Sequence, residues 1–161
     1  MRMPGAGTWL LLAVLAAYLL TLLPLPGPLV HAKPFWLGLL VIWLALEQPS
    51  RGVLGLAFLI GLGADLLIGT WFGEHAFRLV VIAFIVRRFR ARLRFFPLWQ
   101  QTAAVAALLV NDRIVIAMLR SFAGEVGIGL AYWLPAVTGT LLWPLLLVLA
   151  DDLRRRVRGR A

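Results

Sequence analysis

The sequence has 161 residues, 62% of them hydrophobic and 14% charged, with 16 Lys and Arg against 7 Asp and Glu and no cysteine. Soluble domains carry roughly 45–50% apolar and about 25% charged residues, so this composition, with a mean hydropathy of +0.92, describes a chain whose solvent is lipid. It excludes intrinsic disorder, a disulfide scaffold, thiol catalysis and cysteine-ligated zinc or iron–sulfur sites.

A membrane helix needs about 20 mainly apolar residues, and six apolar runs bounded by charge or by Pro and Gly are expected to be spans. The first covers 8–23 and ends at Pro24, Pro26 and Pro28, which cannot continue a helix. The second, 34–46, is short. It reaches full length only if Pro34 is its first helical residue, where the missing N–H would be unpaired in any case. The third covers 53–70, the fourth 75–86, the fifth 99–119 and the sixth 132–150. Runs two and four cross a bilayer only with snorkelling flanks or local thinning, or else lie as tilted or re-entrant segments. The connections are short, so residues 1–161 are expected to form one polytopic membrane domain: an all-α, compact bundle of about six transmembrane helices. Arg2, the first run and Val30-His31-Ala32 also have the outline of a signal peptide, a reading disfavoured by the length of the run and by the three prolines.

Cytoplasmic loops are the ones enriched in Lys and Arg. With the N-terminus inside, twelve of the 16 basic residues are cytoplasmic: Arg2, Arg51, Arg87, Arg88, Arg90, Arg92, Arg94, Arg154, Arg155, Arg156, Arg158 and Arg160. Only Lys33 and Arg120 fall in outer loops, so both termini are expected inside.

Ionisable groups at membrane depth are costly unless paired or hydrated. Asp65 and Arg78 each lie about one turn inside the outer end of a run, with Gly69 and Gly73 turning between them. Matched depth predicts a salt bridge that fixes a helical hairpin. In Asn111-Asp112-Arg113, neighbouring side chains point about 100° apart, so Asp112 and Arg113 must face other helices or a crevice. Arg78, Thr138 and Thr140 are the partners within reach of Asp112. Ala57-x-x-x-Gly61 and Gly61-x-x-x-Asp65 form a small-residue ridge suited to close helix packing, either inside the chain or across a homodimer. Pro144 is expected to kink the sixth run, with Trp143 beside it as packing or an interface anchor.

The run Arg87-Arg88-Phe89-Arg90-Ala91-Arg92-Leu93-Arg94-Phe95-Phe96 interleaves charge and aromatic rings. Nucleic acid is rejected as its partner, because the same pattern suits a helix end at an anionic inner leaflet, where each Arg contributes about 1 kcal/mol. The tail with Arg154, Arg155 and Arg156 reads the same way. No Ser/His/Asp arrangement, phosphate-cradling Gly-Lys loop or paired His at metal spacing is present. An enzyme is therefore not expected, nor any cofactor or metal.

Taken in order, Lys33-Pro34-x-Trp36, the Gly-rich helix from Gly55 to Asp65, Gly69 and Gly73, the basic loop closing on Leu98-Trp99-Gln100-Gln101, and Leu142-Trp143-Pro144 resemble the bacterial rod-shape-determining membrane protein family MreD. The resemblance covers about residues 8 to 153, and Pro34, Asp65, Gly69, Gly73 and Pro144 carry its pattern. It implies a non-enzymatic inner-membrane subunit of the machinery that elongates lateral peptidoglycan. The implied partners are MreC directly, and through it MreB, RodA and a penicillin-binding transpeptidase. It also implies a fold similar to the substrate-binding membrane subunits of vitamin transporters, which keeps a small-solute or lipid carrier using the charged seam as the rival reading.

Overall fold

The computed structural model describes residues 6–48, 52–122, 124 and 129–158. Among them the regular structure is all helical: α1 (Ala6–Leu22), α2 (Trp36–Glu47), α3 (Gly52–Ile68), α4 (Glu74–Leu93), α5 (Leu98–Phe122) and α6 (Leu134–Arg158), with short 3-10 turns at Gly27–Val30 and Leu130–Trp133. Two stretches, Leu98–Phe122 and Leu130–Asp152, are long and apolar enough to cross a membrane, and Gly7–Leu22, Trp36–Glu47 and Gly52–Ile68 are shorter apolar helices.

The shortest helix lies at the centre. In α2, Leu37, Gly38, Leu39, Val41, Ile42, Leu44, Ala45 and Leu46 are all buried, and the helix packs against α1, α3, α4 and α6. A helix apolar all round belongs inside a bundle. At 1.5 Å per residue its length is about 18 Å, well short of a hydrocarbon core of about 30 Å, so its terminal carbonyls need partners supplied by protein. Arg90 of α4 supplies them, donating from Nε to the Leu46 carbonyl at 2.7 Å and from Nη2 to the Glu47 carbonyl at 3.2 Å.

Two expectations for this region are corrected. Pro34 is not helical: α2 begins at Trp36 with Phe35 as its cap, at φ −80° and ψ 78°. That non-helical conformation places the Phe35 ring 4.1 Å from the Arg78 guanidinium carbon. The fourth run does not stop at Val86, because α4 continues to Leu93. Arginine is a good helix former, and cations are favourable at a helix C-terminus. Much of the basic segment is therefore helix, with Arg88, Arg92 and Arg94 exposed, Arg87 half-buried and Arg90 turned inward. Arg90→Ala is expected to cost about 1.5–3 kcal/mol for lost bonds to a charged donor, whereas Arg88→Ala stays within about 0.5 kcal/mol. Thermal unfolding of both in one detergent checks this, and equal shifts would refute the inward role.

The ridge on α3 is taken up inside the chain. Ala57 and Gly61 are buried, and a Cβ placed on Gly61 would stand 2.2 Å from the Ala76 Cα of α4. A homodimer through this ridge is thus closed off by the chain's own packing. On the other side of α3, the Tyr18 hydroxyl donates to the Ile60 carbonyl and tethers α1. Lys33 Nζ donates to the Thr21 and Leu23 carbonyls at the end of α1; burial pushes this ammonium below its ordinary pKa. In the second half of the chain, α6 packs on α5 with Gly139 under Leu109. It remains helical through Pro144, and Trp143 is a core residue rather than an interface anchor, 1% exposed.

Candidate functional site

The buried polar side chains Asp65, His75, Arg78 and Asp112 gather where α3, α4 and α5 meet. Gly69 and Gly73, at φ 72° and 97°, make the turn between α3 and α4. A side chain would be strained at either position. This turn sets the Asp65 carboxylate over the first turn of α4, whose own N-cap, Gly73, offers no side chain. Asp65 Oδ2 accepts from the Gly73 amide at 2.9 Å, and Oδ1 accepts from the His75 amide at 2.9 Å and from the Thr70 hydroxyl at 3.0 Å. His75 Nδ1 lies 2.9 Å from the same Oδ1. The orphan amides of a helix start and its dipole both favour an anion at this point, so Asp65 is a cap lent by the preceding helix.

Asp65 therefore does not pair with Arg78, as matched depth predicts. Arg78 lies nearly a full turn further along α4 than His75 and reaches across to α5. There Nε meets Asp112 Oδ1 and Nη2 meets Oδ2, each at 2.8 Å. This bidentate fork is the strongest geometry open to an ion pair. Its guanidinium also stacks on Phe35. Thr138 and Thr140 do not serve Asp112; their hydroxyls donate back to carbonyls of their own helix. Arg113 turns to the other side, 5.4 Å from the Tyr132 ring centroid, and its carbonyl accepts from the Tyr132 hydroxyl.

The network brings together Asp65, Gly69, Gly73, Arg78 and Asp112, with Gly61 close behind at the crossing of α3 and α4. Ala57 lies further down that contact, while Pro34 and Pro144 belong to other elements. The exposed arginines of the C-terminal part of α4 lie at the opposite end of the helix from this network. The backbone of Arg154, Arg155 and Arg156 continues α6, but their side chains, like Arg2, Arg51 and Arg160, lie outside the described residues. Sequence reasoning missed Thr70, Glu74, His75, Arg120 and Phe35. The spacing of Glu74 and Arg78, four apart on one helix, was a readable sign; the others depend on how the turn folds.

Chemically, both buried aspartates are held by protein donors on each oxygen, Asp65 by the start of α4 and Asp112 by the Arg78 fork. No group of three His, Asp or Glu comes together to hold a metal ion among the described residues. Above the network opens a cleft of about 440 Å³ walled by Trp71, Phe72, Phe77 and Leu119, with Glu74 and Arg120 as its charged groups.

Comparison with known proteins adds the family. The family model described as rod shape-determining protein MreD matches residues 2–152. A protein of Haemophilus influenzae named rod shape-determining protein MreD is 30% identical over 145 residues, covering 88% of each chain. No solved structure matches. A family match over nearly the whole length, on a helical chain with two helices long and apolar enough to cross a membrane, establishes that this chain belongs to the rod shape-determining protein MreD family of membrane proteins.

Proposed function

We propose that this chain is a non-enzymatic scaffold subunit of the bacterial wall-elongation complex, a multi-pass inner-membrane protein that binds MreC and, through it, associates with MreB, RodA and a penicillin-binding transpeptidase. Its mechanism is recognition: an apolar helix of the partner packs on an apolar helix face, and no bond is made or broken. The observation that carries the reading is that both buried aspartates are held by groups of the chain itself. Asp65 is bound by His75, Thr70 and backbone amides, and Asp112 by Arg78. These groups hold helices together, which suits a scaffold better than a carrier whose seam must release and rebind a solute.

On this reading both termini lie in the cytoplasm. Arg90 joins the C-terminal ends of α2 and α4 at one end of the bundle, where exposed Arg88, Arg92 and Arg94 also stand, while among the described residues the opposite end exposes Arg120 and keeps Lys33, Arg78 and Arg113 partly or fully buried. That asymmetry fits the positive-inside bias and suits anionic lipids at the inner leaflet. The partner face is sought on exposed apolar surface, such as Leu11, Leu15 and Leu19 of α1 or Leu141, Leu145 and Val148 of α6, and not on the buried ridge.

Affinity purification of the tagged chain from its native membranes in a gentle detergent, with mass spectrometry of what accompanies it, tests the reading. Recovery of MreC with RodA or the transpeptidase is the expected result. Recovery of ATPase subunits, or of a stoichiometric small molecule alone, would overturn it in favour of a carrier.

A further inference from the structure

Glu74 is left short of partners by the network beside it. Its side chain is 11% exposed, yet the nearest cationic nitrogens, Arg78 Nη1 and Arg120 Nη2, both stand 3.8 Å from Oε1. That is beyond hydrogen-bond range, and Arg78 is already committed to Asp112. Among the described residues no group donates a hydrogen bond to this carboxylate. A partly buried carboxylate with cations no nearer than 3.8 Å keeps acceptor capacity to spare, so the cleft it lines is suited to a ligand that brings donors.

The walls narrow the ligand's chemistry. Trp71, Phe72 and Phe77 line the same cleft as Glu74, and aromatic rings together with a carboxylate make a receptor for an ammonium group. Arg120 lines the same cleft with half of its side chain exposed, and a guanidinium fork matches a phosphate. A simple anion would be repelled by Glu74 and a simple cation by Arg120. A zwitterion with the two charges on neighbouring groups satisfies both. The cleft volume of about 440 Å³ lies within the usual range of small-molecule sites, roughly 300–1,000 Å³. Phe77 extends its wall along α4, and exposed Phe84 follows seven residues later on the same helix face. An apolar track thus runs from the cleft down the outside of the bundle.

We infer that this cleft binds the headgroup of a phosphatidylethanolamine-class lipid, with the ammonium on Glu74 among the aromatic rings, the phosphate on Arg120, and the acyl chains along the Phe77 and Phe84 face. The inference rests on the chain lying in a membrane and is independent of its protein partner.

Native mass spectrometry of the delipidated full chain, reloaded with equimolar phosphatidylethanolamine and phosphatidylglycerol, tests it. Retention of the ethanolamine lipid about tenfold above the glycerol lipid is expected, with Glu74→Gln erasing that preference, a change equivalent to about 1.4 kcal/mol, and Arg120→Gln lowering the retention of both lipids, which share the phosphate. Phosphatidylcholine, whose quaternary ammonium cannot donate to Glu74, is expected to bind more weakly than phosphatidylethanolamine. Arg120 is half-exposed, so its variant decides the matter if Glu74→Gln fails to fold. Equal retention of the two lipids by the unaltered chain, or a retention of both that Arg120→Gln leaves unchanged, would mean that Glu74 and Arg120 form a structural pair only and would overturn the inference. Soluble phosphoethanolamine raising the melting temperature as much as the lipid would overturn it too, by making the ligand a water-borne zwitterion.

Discussion

Asp112→Leu, made alone, is expected to lower the unfolding free energy by about 3–5 kcal/mol, the usual cost of leaving one member of a buried ion pair without its partner. The Arg78 guanidinium would lose both 2.8 Å bonds and keep only the Phe35 ring and a distant Glu74 carboxylate as favourable neighbours. In a protein whose total stability is of order 5–15 kcal/mol, that loss is enough to detach α5 from α4. The double variant Arg78→Met/Asp112→Leu is expected to recover most of it, because replacing a buried pair by apolar groups of similar volume is often close to neutral. Recovery stays incomplete, since Met cannot reproduce the stacking on Phe35. Asp112→Asn, which keeps the shape and one acceptor, falls between wild type and Asp112→Leu. Equilibrium unfolding of the single and double variants in one detergent gives the coupling energy directly. An additive cycle would show that the pair does not hold the two helices together.

The sequence carried the helices more clearly than it carried their contacts. Composition and apolar run length are properties of the chain itself, so six helices and the lipid environment were legible, and the order of Pro34, Asp65, Gly69, Gly73 and Pro144 pointed to the family. Side-chain partners depend on rotation about each helix axis and on the turn between helices. Asp65 and Arg78 have matching depths. Which side chain Asp65 meets was decided by two left-handed glycines that bring His75, not Arg78, under the carboxylate. Arg88 and Arg90 look alike in the sequence, and two residues on a helix turn them about 200° apart. Arg90 is the one that meets the end of α2, and that depends on how α4 is turned against α2, which the sequence does not give. Glu74 was overlooked because charge at a helix start is ordinary; its lack of hydrogen-bond donors becomes visible only once Arg78 is seen to be committed elsewhere.

Three glycines on α3 provide the second large effect, and a graded one. Gly55 has nothing within 4 Å of where a Cβ would stand, so Gly55→Ala is expected to be neutral or slightly stabilising, given alanine's better helix propensity of about 1 kcal/mol. A Cβ on Gly63 would meet the Tyr18 hydroxyl at 2.5 Å. That is the far end of a side chain that can swing away at the cost of its bond to the Ile60 carbonyl, so a loss of about 1 kcal/mol is expected. A Cβ on Gly61 would lie 2.2 Å from the Ala76 Cα, 2.4 Å from its amide nitrogen and 2.7 Å from the His75 carbonyl carbon. These are backbone atoms of α4, and no rotamer change relieves the clash. The two helices must separate, which pulls Asp65 away from the amides of Gly73 and His75 and strips α4 of its cap. Gly61→Ala is therefore expected to cost about 3 kcal/mol or more, within the range of overpacking combined with loss of a cap, and Gly61→Leu to prevent folding. Melting temperatures of the three alanine variants in the same micelle should fall in the order Gly55, Gly63, Gly61. A Gly61→Ala protein that melts with Gly55→Ala would mean that α3 and α4 do not cross at this point, and the capping of α4 by Asp65 would fall with that crossing.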